Sequence, residues 1–137
     1  MSTQEKLFTV IIFGSFMLML STGEALAQSS LPPKKTPDLL NQGKKLYEQN
    51  CSPCHGVKGD GKGPASTALK PAPSDFAEPL TKWPNTKGKP EKIFGVISKG
   101  IPNSAMVKWN QFPETERWGL VYFVMEFAAK SSGPKKK

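Results

Sequence analysis

The residues best suited to chemistry in this chain sit together as Cys51-Ser52-Pro53-Cys54-His55, a run holding both cysteines and the single histidine of the sequence. Thiols at this spacing, followed at once by an imidazole, form the pattern to which haem is attached covalently. Each thiol adds to a vinyl group as a thioether. One short turn then carries the imidazole to the same face of the macrocycle, under the iron. The competing chemistries lack their residues. A thioredoxin-like dithiol shares the spacing but needs a preceding strand and a βαβ setting, and a helical pattern precedes Cys51. A zinc or iron–sulfur centre needs further Cys or His ligands, and the chain has none. One close pair of cysteines cannot staple a domain either, so a disulfide framework is excluded.

The flanking segments must position that cluster. Thr36-Pro37-Asp38 supplies an N-cap, a proline for the first helical position and an acid for the first turn. Leu39, Gly43, Leu46, Tyr47 and Asn50 then recur at helical spacing, which predicts a helix from about Pro37 to Asn50 ending at the cluster. A second helix is predicted from about Pro90 to Lys99, with Ile93, Phe94, Val96 and Ile97 apolar and Gly100 placed to end it. A third starts near Pro113, carries Glu114 and Glu116 in its first turn, and runs through Trp118 to about Ala128. No stretch alternates with period two for long enough to make a strand, so the fold class is all-α. Residues 56–89 are dominated by Gly, Pro, Lys, Ser and Thr. So long an irregular segment in a small domain implies that it wraps something.

The ends are not part of that domain. Lys6 precedes the uncharged apolar run Leu7 to Leu20, and polar residues then lead to Ala25-Leu26-Ala27, the layout of a cleavable secretory signal over residues 1–27. The apolar run is short of the roughly 20 residues needed to span a bilayer, so the mature chain is expected to lack a transmembrane segment. Export fits covalent haem attachment, which takes place outside the cytoplasm, and the expected location is the periplasm. Residues 28–36 read as a flexible lead-in, 37–129 as the haem domain and 130–137 as a basic flexible tail. Losing Lys6, Glu5 and Glu24 with the signal raises the formal net charge from +8 to +9. About 110 residues then remain, which bury only a marginal core unless something else fills it.

From Pro37 to Ala128 the chain resembles the class I c-type cytochromes. The run C-S-P-C-H-G-V-K-G-D-G-K-G-P, with Pro64 at its end, carries the resemblance most closely. It implies the cytochrome c fold, three to four helices and long irregular loops around one haem c bonded to Cys51 and Cys54. It also implies that the Pro64 carbonyl accepts from His55 Nδ1–H, and that Phe76 and Trp109 contact the macrocycle. His55 is then one iron ligand. The segment Gly100 to Trp109 is similar to the family's axial-methionine loop, making Met106 the other ligand; Val107 stands where that loop commonly has proline. Once the signal is removed, Met125 is the other remaining methionine, and it falls inside the third helix. The resemblance further implies a close crossing of the first and last helices, with Gly43 and Tyr47 against Trp118 and Phe123.

The implied function is one-electron transfer by a His/Met-ligated haem c, a carrier rather than an enzyme by itself. The alternatives are a haem c subunit of a larger oxidoreductase and a gas-sensing or catalytic haem protein whose methionine detaches. The lysines, with Lys58, Lys62 and Lys108 nearest the haem-contacting segments, suit redox partners with acidic docking patches. Nothing accompanies the charge that would suit nucleic acid. From Trp118 to Phe127 the last helix is apolar on almost every side. A small domain can hardly bury such a helix all round, so an exposed strip at Tyr122 and Met125 is expected to dock a partner subunit.

Overall fold

Residues 31–131 are described by the structure, a computed structural model. The signal expected over 1–27, the start of the lead-in and most of the basic tail lie outside the described residues. Among the described residues four α-helices carry the fold: α1 (Pro37–Asn50), α2 (Ser52–His55), α3 (Pro90–Lys99) and α4 (Glu114–Ser131). Short 3-10 turns at Ser66–Ala68 and Leu80–Lys82 interrupt the long connection. Among the described residues there is no strand, and no helix is long and apolar enough to cross a membrane. The all-α cytochrome c architecture expected from the sequence is present.

Local chemistry sets the helix ends. Thr36 is extended and its hydroxyl accepts from Leu39 N at 3.2 Å, leaving Pro37 to open α1. Gly100 ends α3 with φ +71°, a conformation that costs a residue without a Cβ little. At the far end α4 continues past Ala128 to Ser131, so Lys130 belongs to the helix and not to a tail. The Ser131 hydroxyl explains the extra turn, lying 2.9 Å from Ala128 O and also within reach of Ala77 O in the long loop.

α1 and α4 cross where each has a glycine. A Cβ built on Gly43 would lie 2.0 Å from Gly119 O, and one on Gly119 would lie 2.7 Å from Leu39 O. The expected pairing of glycine with aromatics is therefore a glycine-on-glycine contact, flanked by the aromatics. Tyr47 packs its ring 5.3 Å from Phe123 and 5.2 Å from Phe127. α3 covers another side of α4, where Phe94 stacks on Trp118 at 4.6 Å. Tyr47, Trp83, Ile93, Ile97, Trp118, Leu120, Val121, Val124 and Ala128 form the buried core.

These neighbours explain why α4 is apolar nearly all round: different partners cover different faces. The lead-in is one of them. Tyr122 Oη donates to Pro33 O at 2.6 Å, and Lys35 pairs with Glu126. Tyr122 is thus half-buried by the chain's own residues, which corrects the expectation of an open strip there. Met125 is also half-buried, and lines a groove with Pro79, Leu80 and Ala129.

Tyr47 also reaches across the start of the long loop, donating to Gly56 O at 2.7 Å in a buried bond. Burial holds the phenol well above its ordinary pKa, so it stays protonated and able to donate. Tyr47→Phe leaves the Gly56 carbonyl without this donor, at an expected cost of about 1–3 kcal/mol. Urea unfolding should show a lower midpoint at unchanged slope; an unchanged midpoint would mean that the carbonyl finds another donor.

Candidate functional site

The Cys-x-x-Cys-His run is held by the bonds that end one helix and start the next. Cys51 N donates to Tyr47 O at 2.9 Å, closing α1, while Cys51 O accepts from His55 N at 2.8 Å, closing the single turn of α2. Gly56, at φ +78°, then turns the chain away. The following loop folds back and satisfies the free carbonyls of that turn. Gly61 N reaches His55 O at 2.9 Å, Gly63 N reaches Cys54 O at 3.1 Å and Ala65 N reaches Pro53 O at 2.9 Å. Gly63 is needed for this approach, because a Cβ there would lie 2.3 Å from Pro53 O. The glycines of the motif therefore lock the turn from behind.

In front of it opens a cavity of about 380 Å³, a size typical of a cofactor pocket. Cys51, Cys54 and His55 line it, with Tyr47 and Asn50 from α1, Ile93, Val96 and Ile97 from α3, and Leu120 and Val124 from α4. The long loop contributes Leu69, Pro71 to Ser74, Phe76 and Trp83 to Thr86. The segment after α3 adds Met106 and Trp109. The wrapping loop and the marginal core thus meet at one apolar space. Both cysteines are free thiols and half-buried. Burial, reinforced by neighbouring Cys54, pushes the Cys51 thiol up to about 12.

His55 is held as a neutral ring. Burial lowers its pKa, opposed by the hydrogen bond it donates to the Ser74 backbone carbonyl. A carbonyl can only accept, so His55 Nδ1 carries the proton and donates to Ser74 O at 3.3 Å. Nε2 keeps its lone pair, as a metal ligand requires. Phe76 stacks on the imidazole at 4.5 Å with an 18° interplanar angle. Pro64 does not have the place the resemblance gave it. It is exposed and outside the cavity lining, because the Gly63 and Ala65 bonds turn this stretch back over α2. Ser74 takes the acceptor role, delivered by a segment anchored through Phe76 N to Gly59 O at 2.6 Å.

The loop bearing Met106 is organised by its own backbone. Ile101 N donates to Met106 O at 2.9 Å, the Ser104 hydroxyl donates to Ile101 O at 2.8 Å, and Met106 N donates to Ser104 Oγ at 3.1 Å. Gly100 allows the closure, since a Cβ there would come within 2.6 Å of Met106 O. Trp109 N then returns the chain to α3 by donating to Ile97 O at 2.9 Å. Met125 lines the separate groove beside Lys35 and Leu80. Among the expected site residues, the fold brings Cys51, Cys54, His55, Phe76, Met106 and Trp109 to one cavity and leaves Pro64 out.

The donor set suits an iron porphyrin. Thiols placed one turn apart could each take a vinyl group, an imidazole and a thioether could ligate the iron, and the remaining walls are apolar. The resemblance places Pro71 to Phe76 against the haem, but nothing in that run marks the Ser74 carbonyl as the acceptor for His55. Sequence reasoning also passed over Gly119, although an isolated glycine inside an apolar helix is a sign of close approach.

No curated protein matches this chain. Among solved structures, a chain of the Kuenenia stuttgartiensis reducing HAO-like protein complex Kustc0457/Kustc0458 is similar, with 30% identity and a TM-score of 0.59. The alignment covers 79% of this chain and 50% of that one, so the present chain corresponds to about half of that relative's length. Residues 38–124, from the first turn of α1 to well inside α4, match the family described as cytochrome C oxidase, cbb3-type, subunit III. With its Cys-x-x-Cys-His turn opening on an apolar cavity inside the matched range, the chain belongs to that family and is a small, all-helical c-type cytochrome domain for haem c.

Proposed function

We propose that the protein carries single electrons between redox proteins outside the cytoplasm, using haem c bonded through Cys51 and Cys54 and ligated by His55 and Met106. The observation that carries this reading is the shared cavity. Two thiols, a neutral imidazole and a methionine from separate segments face one apolar space. When bound, haem c supplies a one-electron iron couple.

The chain's own residues do the rest. Cys51 and Cys54 fix the macrocycle against α2. Ser74 sets the His55 tautomer and Phe76 sets its ring plane. The network of Ile101, Ser104 and Met106 holds the thioether in register. The apolar walls keep water away, which limits reorganisation when the charge changes, and methionine ligation raises the potential relative to a second histidine. With His55 and Met106 both held by the iron, no position would be left for a substrate, which favours a carrier over an enzyme.

The predicted secretory signal supports a periplasmic location. Exposed Lys58, Lys62 and Lys108 fit partners with acidic patches. A second reading, a haem subunit held in a larger oxidoreductase, is favoured by the two-protein complex that contains the similar structure. The groove at Met125, on the C-terminal helix, is then the place for a partner subunit. Carbon monoxide added to the reduced holoprotein at neutral pH tests the closed iron. Negligible binding is expected; rapid, stoichiometric binding would instead mean an open or labile site suited to gas binding or catalysis.

A further inference from the structure

We infer that Arg117 is a positioning residue for Met106, clamping the loop that presents it and so keeping the sixth position of the iron closed. The inference rests on Met106 being the ligand.

Arg117 is the one arginine of the chain, and its side chain reaches two other parts of the fold, the segment at Phe112 and α3. Nε donates to Phe112 O at 3.1 Å, and Nη1 donates to Ser98 Oγ on α3. The guanidinium carbon lies 4.7 Å from the centroid of the Phe94 ring, itself stacked on Trp118. A planar fork can donate along two directions while its face rests on an aromatic ring, and an ammonium cannot. The side chain is half-buried, so these bonds are only partly screened by water.

What the clamp holds is the C-terminal side of the Met106 loop. Phe112 N donates to Trp109 O at 3.3 Å, and the Phe112 and Trp109 rings stack at 5.4 Å and 8°. Trp109 follows Met106 closely, and both line the cavity. The bonds among Ile101, Ser104 and Met106 are internal to the loop, so they shape it without fixing it to the body. Attachment comes through Trp109 N on Ile97 O and through Arg117 on Phe112 O. Loosening the second lets the loop swing as a unit and withdraw the thioether.

An exogenous ligand measures that opening, because its apparent affinity scales with the population of the open form. Imidazole titrated into the ferric holoprotein should bind about 10-fold more tightly to Arg117→Gln than to wild type, with Arg117→Lys intermediate. Ser98→Ala removes one arm of the clamp at a half-buried position, and should tighten binding by about 3-fold even if Arg117→Gln fails to fold. Urea unfolding is followed in parallel. Unchanged imidazole affinity in Ser98→Ala and Arg117→Lys, with lowered unfolding midpoints, would overturn the inference and leave Arg117 a general stabiliser. The wild-type spectrum separates this from failure of the ligation itself. Loss of a sulfur-to-iron charge-transfer band as imidazole binds is expected, whereas a ferric wild type without that band contradicts Met106 as ligand.

Discussion

Replacing Met106 by alanine should lower the reduction potential by on the order of 100 mV or more, since axial ligands set haem potentials over a range of about 0.8 V. The substitution removes the thioether and little else. The bonds that organise the loop are made by the Met106 backbone, N to Ser104 Oγ and O to Ile101 N, and they survive truncation of the side chain. Holoprotein should therefore still form, because Cys51, Cys54 and His55 belong to a different segment. The vacated position should turn the ferric iron high-spin and let carbon monoxide bind the ferrous form. Met125 offers no substitute, since it lines a groove apart from the cavity. An unchanged spectrum and potential in Met106→Ala would assign the sixth ligand elsewhere.

Gly43→Leu should be the most damaging change to the fold, destabilising it by more than about 3 kcal/mol, at or beyond the usual range for overpacking. The first atom it adds meets the Gly119 carbonyl at 2.0 Å. Because the obstacle is backbone inside a helix, no rotamer change relieves it, and α1 must move off α4. That movement separates Tyr47 from Phe123 and Phe127, and displaces Leu120 and Val124 from the cavity wall. Haem-bearing protein should fall at least about 10-fold in yield. Gly95→Ala is the matched control. Gly95 lies within α3, and a Cβ there meets nothing within 4 Å. It should be neutral or stabilising by up to about 1 kcal/mol. Normal holoprotein from Gly43→Leu would mean that the helices do not cross at this pair.

The contrast between these sites shows what a single sequence can carry. The start of α1 and the end of α3 were legible because capping is local: Thr36 before Pro37, and Gly100 after Lys99, each act on their own helix. The haem motif was legible for the same reason. The end of α4 was not, since Ser131 is held in part by Ala77, far away in the chain. Ser74 behind His55 was hidden likewise. Its role depends on how the long loop folds over the cavity, and the resemblance put forward Pro64 in its place. Tyr122 looked free because the lead-in that satisfies its hydroxyl shows no pattern of its own. The all-apolar α4 was correctly seen as unusual. Its explanation lay in the chain's own neighbours, which only the folded arrangement reveals.

The central claim is a single covalently held haem whose iron stays bound to His55 and Met106 in both oxidation states. A spectroelectrochemical titration of the purified holoprotein, followed from the visible into the near-infrared, tests it most directly. The expected result is one reversible one-electron wave, low-spin spectra at both ends, a sulfur-to-iron band in the oxidised form, and a potential above that of bis-histidine haem. A high-spin end state, or low-spin spectra without the sulfur band, would contradict it.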